Sequence, residues 1–290
     1  MRVSLTVQEL SPPLRRPKSS LLRRTLLRIV IIYSLWVASI WLFQGRLLYL
    51  PSIAGPGTPN ALIDPAINRL WLDLGSGNAT EAWLIATDIS PAKGLVVFLH
   101  GNAELIDDCD TESRAWRERG YWVLLPEYRG YGRSGGSPGQ DAIVSDVLWA
   151  IDAALQRMGG GDIKVILHGR SLGSGVAAQV AADLKGGPAM LVLESPFTSV
   201  ASFAWGYGVP PFIVTNPYRT DRVLPELSCP IIIIRGEQDT IVPPRHGEVL
   251  ASLNPRATLV TLVGDHNSGL STQGAYWTAI DDALARSKQP

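Results

Sequence analysis

The stretch that most constrains this chain runs from Val165 to Ala182. An apolar segment of strand character, Val165-Ile166-Leu167-His168, stops at Gly169-Arg170-Ser171-Leu172-Gly173, and small residues follow (Ser174, Gly175, Val176, Ala177, Ala178, Val180, Ala181, Ala182). This order predicts a strand, a sharp turn with serine at its apex, and a helix. In such a turn the serine is held in a strained backbone conformation with its hydroxyl exposed, and the first N–H groups of the helix point at the same spot. Gly169 and Gly173 have steric duties there, because a Cβ at either would meet the opposing strand or helix. A Gly-x-Ser-x-Gly run alone carries little weight. It gains weight from an acid and a histidine further along, in that order.

The surrounding rhythm supplies a sheet. Arg69-Leu-Trp-Leu-Asp-Leu and Thr80-Glu-Ala-Trp-Leu-Ile-Ala, split by Gly75-Ser-Gly-Asn, predict an antiparallel pair of strands. Short continuous apolar runs then begin, of the type buried on both faces of a parallel sheet: Leu95–Leu99, Tyr121–Pro126, Ile163–His168, Met190–Leu193, Pro230–Arg235 and Thr258–Val263. Helical stretches separate most of them, at about Glu104–Arg119, Gln140–Met158, Pro244–Leu253 and Ser271–Arg286. The alternation predicts an α/β fold with a mostly parallel, doubly wound sheet. With 290 residues, 46% of them hydrophobic, the chain can bury the core of one large domain. Residues 195–229 break the rhythm with Phe197, Phe203, Trp205, Tyr207, Phe212, Tyr218 and five prolines. An excursion of that length reads as a small cap or lid, with irregular surface packing as the plainer alternative.

The amino terminus is of another kind. Residues 1–24 are basic and proline-bearing and read as a disordered tail; residues 25–45 read as an uncleaved transmembrane anchor, and 46–68 as a linker to a catalytic domain over 69–288. No charge occurs from Ile29 to Gly45, and the apolar segment has the ~20 residues that a bilayer core demands. Trp36, Trp41 and Tyr49 suit an interfacial aromatic belt. A cleaved signal peptide or a buried core helix would give a similar run. However, no small-x-small cleavage site follows it, and basic residues crowd its start. Residues 1–28 hold seven basic residues and one acid, which predicts a cytoplasmic amino terminus and a domain on the opposite side of the membrane. The remainder carries 19 basic against 25 acidic residues, so its charge gives no reason to expect nucleic-acid binding. Two cysteines, Cys109 and Cys229, without a Cys-x-x-Cys pattern, argue against a disulfide framework or zinc site.

Three further points fall at strand ends. His100-Gly101-Asn102-Ala103 follows the first buried strand, where the Asn102 N–H is the candidate to join that of Leu172 as an oxyanion donor; an ordinary strand-to-helix turn using Gly101 is the alternative. Gly236-Glu237-Gln238-Asp239-Thr240-Ile241-Val242-Pro243 follows the isoleucine strand. Asp239 is the candidate acid, with Glu237 and Glu194 as rivals. Gly264-Asp265-His266 follows the last strand and makes His266 the candidate general base. His100 and His168, each at a strand end before glycine, read as packing residues, and His246 as a solvated helix residue. The order Ser171, Asp239, His266 is the serine–acid–histidine order of one hydrolytic fold.

Five segments then carry a resemblance: Phe98-Leu-His-Gly-Asn-Ala, Leu125-Pro-Glu-Tyr-Arg-Gly-Tyr-Gly-Arg-Ser, Gly169-Arg-Ser-Leu-Gly, Glu194-Ser-Pro-Phe-Thr-Ser and Gly236-Glu-Gln-Asp-Thr-Ile-Val-Pro-Pro. Together they resemble the α/β-hydrolase superfamily, and more narrowly its membrane-anchored serine hydrolases related to lysophospholipid lipases and protein depalmitoylases. The resemblance covers roughly Leu95 to the carboxyl terminus. It implies an α/β-hydrolase fold and cofactor-free, metal-free cleavage of ester or thioester bonds in an acyl ester or lipid substrate. The chain departs from the common pattern at Asp265-His266, where many relatives have Gly before the histidine. Trp205, Tyr207 and Phe212 of the cap are the expected lining of an apolar acyl site. Two other functions compete: a peptidase of the prolyl-oligopeptidase type, for which the chain has no propeller domain, and a catalytically silent scaffold that keeps the fold.

Overall fold

The computed structural model describes residues 18–57 and 66–286. The chain divides into two compact units, Met1–Phe43 and Gln44–Pro290. Helix α1 (Lys18–Leu48) makes up the described part of the first unit, and its last five residues belong to the second. Its segment Leu21–Leu48 is long and apolar enough to cross a membrane. The helix starts within the stretch read as a disordered tail, because Ser19 to Leu27 form an unbroken run free of proline and glycine. The rest of that tail, residues 1–17, lies outside the described residues.

The second unit holds an eight-stranded sheet in the order β1-β2-β4-β3-β5-β6-β7-β8. Its strands are β1 (Ile67–Gly75), β2 (Asn78–Ile85), β3 (Gly94–Leu99), β4 (Tyr121–Pro126), β5 (Val165–Arg170), β6 (Met190–Glu194), β7 (Ile231–Gly236) and β8 (Ala257–Leu262). β1 and β2 are antiparallel, β2 meets β4 antiparallel, and every other pairing is parallel. The helices of this unit are α2 (Pro51–Ala54), α3 (Asp110–Glu118), α4 (Gln140–Arg157), α5 (Leu172–Asp183), α6 (Thr220–Val223), α7 (Arg245–Ser252) and α8 (Gly274–Arg286).

Alternation along each strand divides the core in two. On β3, Leu95, Val97 and Leu99 join the cluster under α4, α5 and α7, whereas Val96 and Phe98 join the one under α3 and α8. Each central strand is thus apolar on both faces, which is why it reads as a continuous hydrophobic run. Cys109 packs in one cluster and Cys229 in the other, so the sheet lies between these two free cysteines.

Three expectations change. The stretch 46–68 is not simply a linker: Tyr49 is only 3% exposed, packs in the core and shares a 3.0 Å hydrogen bond with Tyr218. It therefore leaves the aromatic belt assigned to it. Residues 58–65 of that stretch lie outside the described residues, and 67–68 already belong to β1. The helix expected from Glu104 begins only at Asp110, because Glu104 accepts from Gly101 N–H (2.7 Å) and Asp108 from Leu105 N–H (3.0 Å). The excursion 195–229 is built of short turns around Val200–Tyr207 and Pro211–Ile213, with α6 after them.

Gly173 stands closest to the backbone of another element. A Cβ there would overlap the carbonyl oxygens of Leu99 and His100 at the end of β3, and one on Gly169 would overlap the Gly173 carbonyl. Backbone cannot yield as a side-chain tip can. Gly173→Ala should therefore destabilise the chain by about 1–3 kcal/mol or more. The thermal unfolding midpoint of the purified variant checks this, and a midpoint equal to wild type would contradict it.

Candidate active site

Ser171 lies between β5 and α5 with φ +50° and ψ −114°, a region that non-glycine residues rarely enter. Its N–H donates to Glu194 O (2.9 Å), and its own carbonyl accepts from the Ser174 N–H (2.9 Å) and hydroxyl (2.6 Å). These bonds on both sides of the apex hold the strained turn. The side chain is left half-buried at the amino end of α5, whose first-turn N–H groups have no intrahelical acceptor.

Three sequence-predicted residues meet here. Ser171 Oγ is 2.9 Å from His266 Nε2, and His266 Nδ1 is 2.7 Å from Asp239 Oδ2. The Asp239 Oδ1 oxygen accepts from the N–H groups of Ile241 (3.0 Å) and Val242 (2.8 Å). Burial alone would raise the Asp239 pKa, but the hydrogen bond from His266 and those backbone donors outweigh it and hold the carboxyl below its ordinary value. An ionised Asp239 fixes the Nδ1–H tautomer, leaving Nε2 free to accept the serine proton. Asp265 shapes the turn that carries His266: its carboxylate accepts from Asn267 N–H (2.9 Å) and the Ser268 hydroxyl (2.7 Å). The rival acids are elsewhere. Glu237 is exposed, and Glu194 is buried with Arg170.

The candidate oxyanion donors come from two adjacent turns. Asn102 follows β3, Leu172 is the first residue of α5, and the tight seat of Gly173 on Leu99 and His100 brings the turns together. His100 is buried and faces acceptors on both ring nitrogens: the Gly101 carbonyl (2.8 Å) and Glu127 (2.8 Å). Burial lowers its pKa, but Glu127 outweighs that and raises it above the ordinary value. His246 is half-buried instead of solvated, with Thr198 N–H donating to its Nδ1 (3.3 Å) and Phe203 stacked on its ring. Trp205, Tyr207 and Phe212 are 67%, 57% and 86% exposed, so they lie on the surface of the excursion and do not wall a closed acyl pocket.

Beneath the turn is a charge cluster that motif reasoning missed, although Arg170 lies inside the motif. Arg170 contacts Glu104 (3.1 Å), Glu112 and Glu194 (3.4 Å), one cation among three carboxylates. Ser271 donates to Glu112 (2.6 Å) and Tyr276 to Glu194 (2.8 Å). Since Glu104 also accepts from Gly101 N–H, this one carboxylate joins the loop after β3 to the residue preceding Ser171.

The comparisons with known proteins agree with this architecture. Residues 90–225 match the family model described as "Serine aminopeptidase, S33". An uncharacterized protein of Mycobacterium tuberculosis is 31% identical, over 82% of this chain and 86% of that one. The chain belongs to the α/β-hydrolase superfamily. Within the superfamily, the zebrafish (Danio rerio) lysophosphatidylserine lipase ABHD12 is 33% identical over 55% of this chain and 47% of its own length. An esterase from Pyrococcus furiosus shares the fold with a TM-score of 0.63 and 19% identity, over 81% of this chain and 95% of that one. The family assignment and the lipase relative support hydrolase activity.

One buried histidine sets a pH dependence for this α/β-hydrolase. Trp116 Nε1–H donates to His168 Nδ1 (3.0 Å), and His168 Nε2 faces the Tyr276 hydroxyl (2.7 Å), whose own proton goes to Glu194. The ring is therefore neutral, with its proton on Nε2. Burial, then Arg170, push its pKa down to about 3. Between that value and the ordinary 6.5, the unfolded chain binds a proton that the folded one refuses. Stability therefore falls as pH drops through this window, by up to about 1.4 kcal/mol per pH unit from this group. Urea unfolding from pH 6.5 to 4 should show that slope reduced by about one proton in His168→Gln. Equal slopes would contradict the assignment.

Proposed function

We propose that this chain is a membrane-tethered serine hydrolase that cleaves carboxylic ester or thioester bonds of acylated, lipid-like substrates. The observation that carries the reading is the continuous relay Ser171–His266–Asp239 at the apex of a left-handed turn. Ser171 Oγ attacks the acyl carbonyl carbon while His266 Nε2 takes its proton, and Asp239 stabilises the imidazolium. The tetrahedral oxyanion receives hydrogen bonds from the N–H groups of Asn102 and Leu172. Collapse expels the alcohol or thiol, which takes the proton from His266, and leaves the acyl group on Ser171. Water then attacks with His266 as base, and the carboxylic acid departs.

The surface supports an amphiphilic substrate. Ile241 and Val263, on the loops that carry Asp239 and His266, are 56% and 69% exposed. Trp205, Tyr207 and Phe212 add exposed apolar surface on the excursion and are the candidate acyl contacts. ABHD12, a lipase by name, points the same way. The segment Leu21–Leu48 supplies the tether, and the basic residues that precede it favour a cytoplasmic amino terminus with the catalytic domain on the far side.

Ser171→Ala should lower kcat on p-nitrophenyl esters by at least about 10³-fold, and Asp239→Asn by about 10⁴-fold. With wild type, turnover should persist from butyrate to dodecanoate esters. A sharp loss beyond butyrate would contradict a lipid-like substrate. Faster cleavage of an aminoacyl amide than of the matching ester would favour the peptidase that the family description names.

A further inference from the structure

The loop carrying Asn102 is held by main chain from the end of α1. The Asn102 carboxamide donates from Nδ2 to Leu48 O (2.6 Å), and its Oδ1 accepts from Leu50 N–H (3.1 Å). The Tyr131 hydroxyl joins the same knot, accepting from Leu50 N–H (2.9 Å) and donating to Asn102 Oδ1 (2.6 Å). Tyr49, between the two clasped residues, is buried and bonded to Tyr218. Just before them, Gln44 donates to Ile213 O (3.2 Å) and accepts from Thr215 N–H (2.8 Å).

This knot needs a reason beyond packing. The residue after Asn102, Ala103, has φ +61°, so the loop adopts a backbone that alanine disfavours unless its surroundings enforce it. The Asn102 side chain is spent on the main chain of Leu48 and Leu50 and on the Tyr131 hydroxyl, and is not free for substrate. Its backbone N–H, in contrast, is the candidate oxyanion donor. Glu104 holds one side of the loop through Gly101 N–H, and the segment Leu48–Leu50 holds the other.

We propose that the Asn102 carboxamide and the Tyr131 hydroxyl form a latch by which residues 48–50 position the oxyanion loop. The end of α1 then serves as a structural part of the active site as well as a tether. Asn102 through its side chain, and Tyr131, are positioning residues. The inference rests on the serine-hydrolase reading of Ser171. With the latch opened, the Asn102 N–H drifts from the line on which it meets the oxyanion, while substrate binding persists.

The test uses the full-length purified chain, wild type and the variants Tyr131→Phe and Asn102→Ala. Hydrolysis of p-nitrophenyl octanoate gives kcat and KM. A trifluoromethyl ketone of matching chain length, which adds to the serine and places an oxyanion in the hole, gives Ki. Each variant should lose about 10- to 100-fold in kcat, less than loss of a whole donor costs at its upper range. KM should stay within about threefold, and Ki should weaken in proportion to kcat. The double variant should lose little more than the worse single one, since both act on one unit. Thermal unfolding verifies that each variant is folded, and either one alone carries the test. Wild-type kcat in a folded variant, or a kcat loss with unchanged Ki, would overturn the latch. Retained activity in Ser171→Ala would instead overturn the reading beneath it.

Discussion

The contact between the first turn of α5 and the carboxyl end of β3 is the constraint on which the rest of the site depends. Gly173 has no Cβ, so two backbones approach closer than any side chain would permit. That approach puts the turn after β3 beside the turn before α5, which brings Asn102 and Leu172 together. Ser171, at the reversal from strand to helix beside this contact, has a positive φ of +50°. The local strain is offset by hydrogen bonds on both sides of the apex, to Glu194 O and from Ser174.

A buried charge network stabilises this junction from below. Arg170 faces Glu104, Glu112 and Glu194, and Glu104 reaches across to Gly101 N–H. Removing the cation would leave carboxylates buried without a counter-charge, a change that commonly costs about 3–5 kcal/mol. The sheet keeps the work of the two faces apart. His168 and Trp116 belong to the α3 and α8 side with this network, whereas Tyr49, Tyr131 and Tyr218 belong to the other core.

The succession of strands and helices, the turn at Ser171 and the candidate residues Asp239 and His266 are legible in the chain because each is announced by a local pattern along or at the end of an apolar run. The glycine duties at 169 and 173 are legible for the same reason. Other features are not, because they join segments far apart: Asn102 to Leu50 across 52 residues, Tyr131 to Leu50 across 81, and Tyr49 to Tyr218 across 169. Tyr49 shows the difficulty well. An aromatic residue after an apolar helix has the same composition whether it faces a membrane interface or a protein core, and only the distant Tyr218 decides. The excursion is legible only in composition: Trp205, Tyr207 and Phe212 announce an apolar surface, and the short turns that carry them, which leave all three exposed, are not announced. Glu104 reads as the first residue of a helix, but its carboxylate serves the loop instead.

The proposed chemistry turns on Ser171 acting as a nucleophile activated by His266. The most direct measurement is to treat the full-length chain with an alkyl fluorophosphonate, digest it, and locate the adduct by tandem mass spectrometry. One phosphonylated residue is expected, Ser171, with labelling strongly slowed in His266→Ala. A native chain with an unlabelled Ser171, or an adduct at another serine that His266→Ala does not slow, would contradict it.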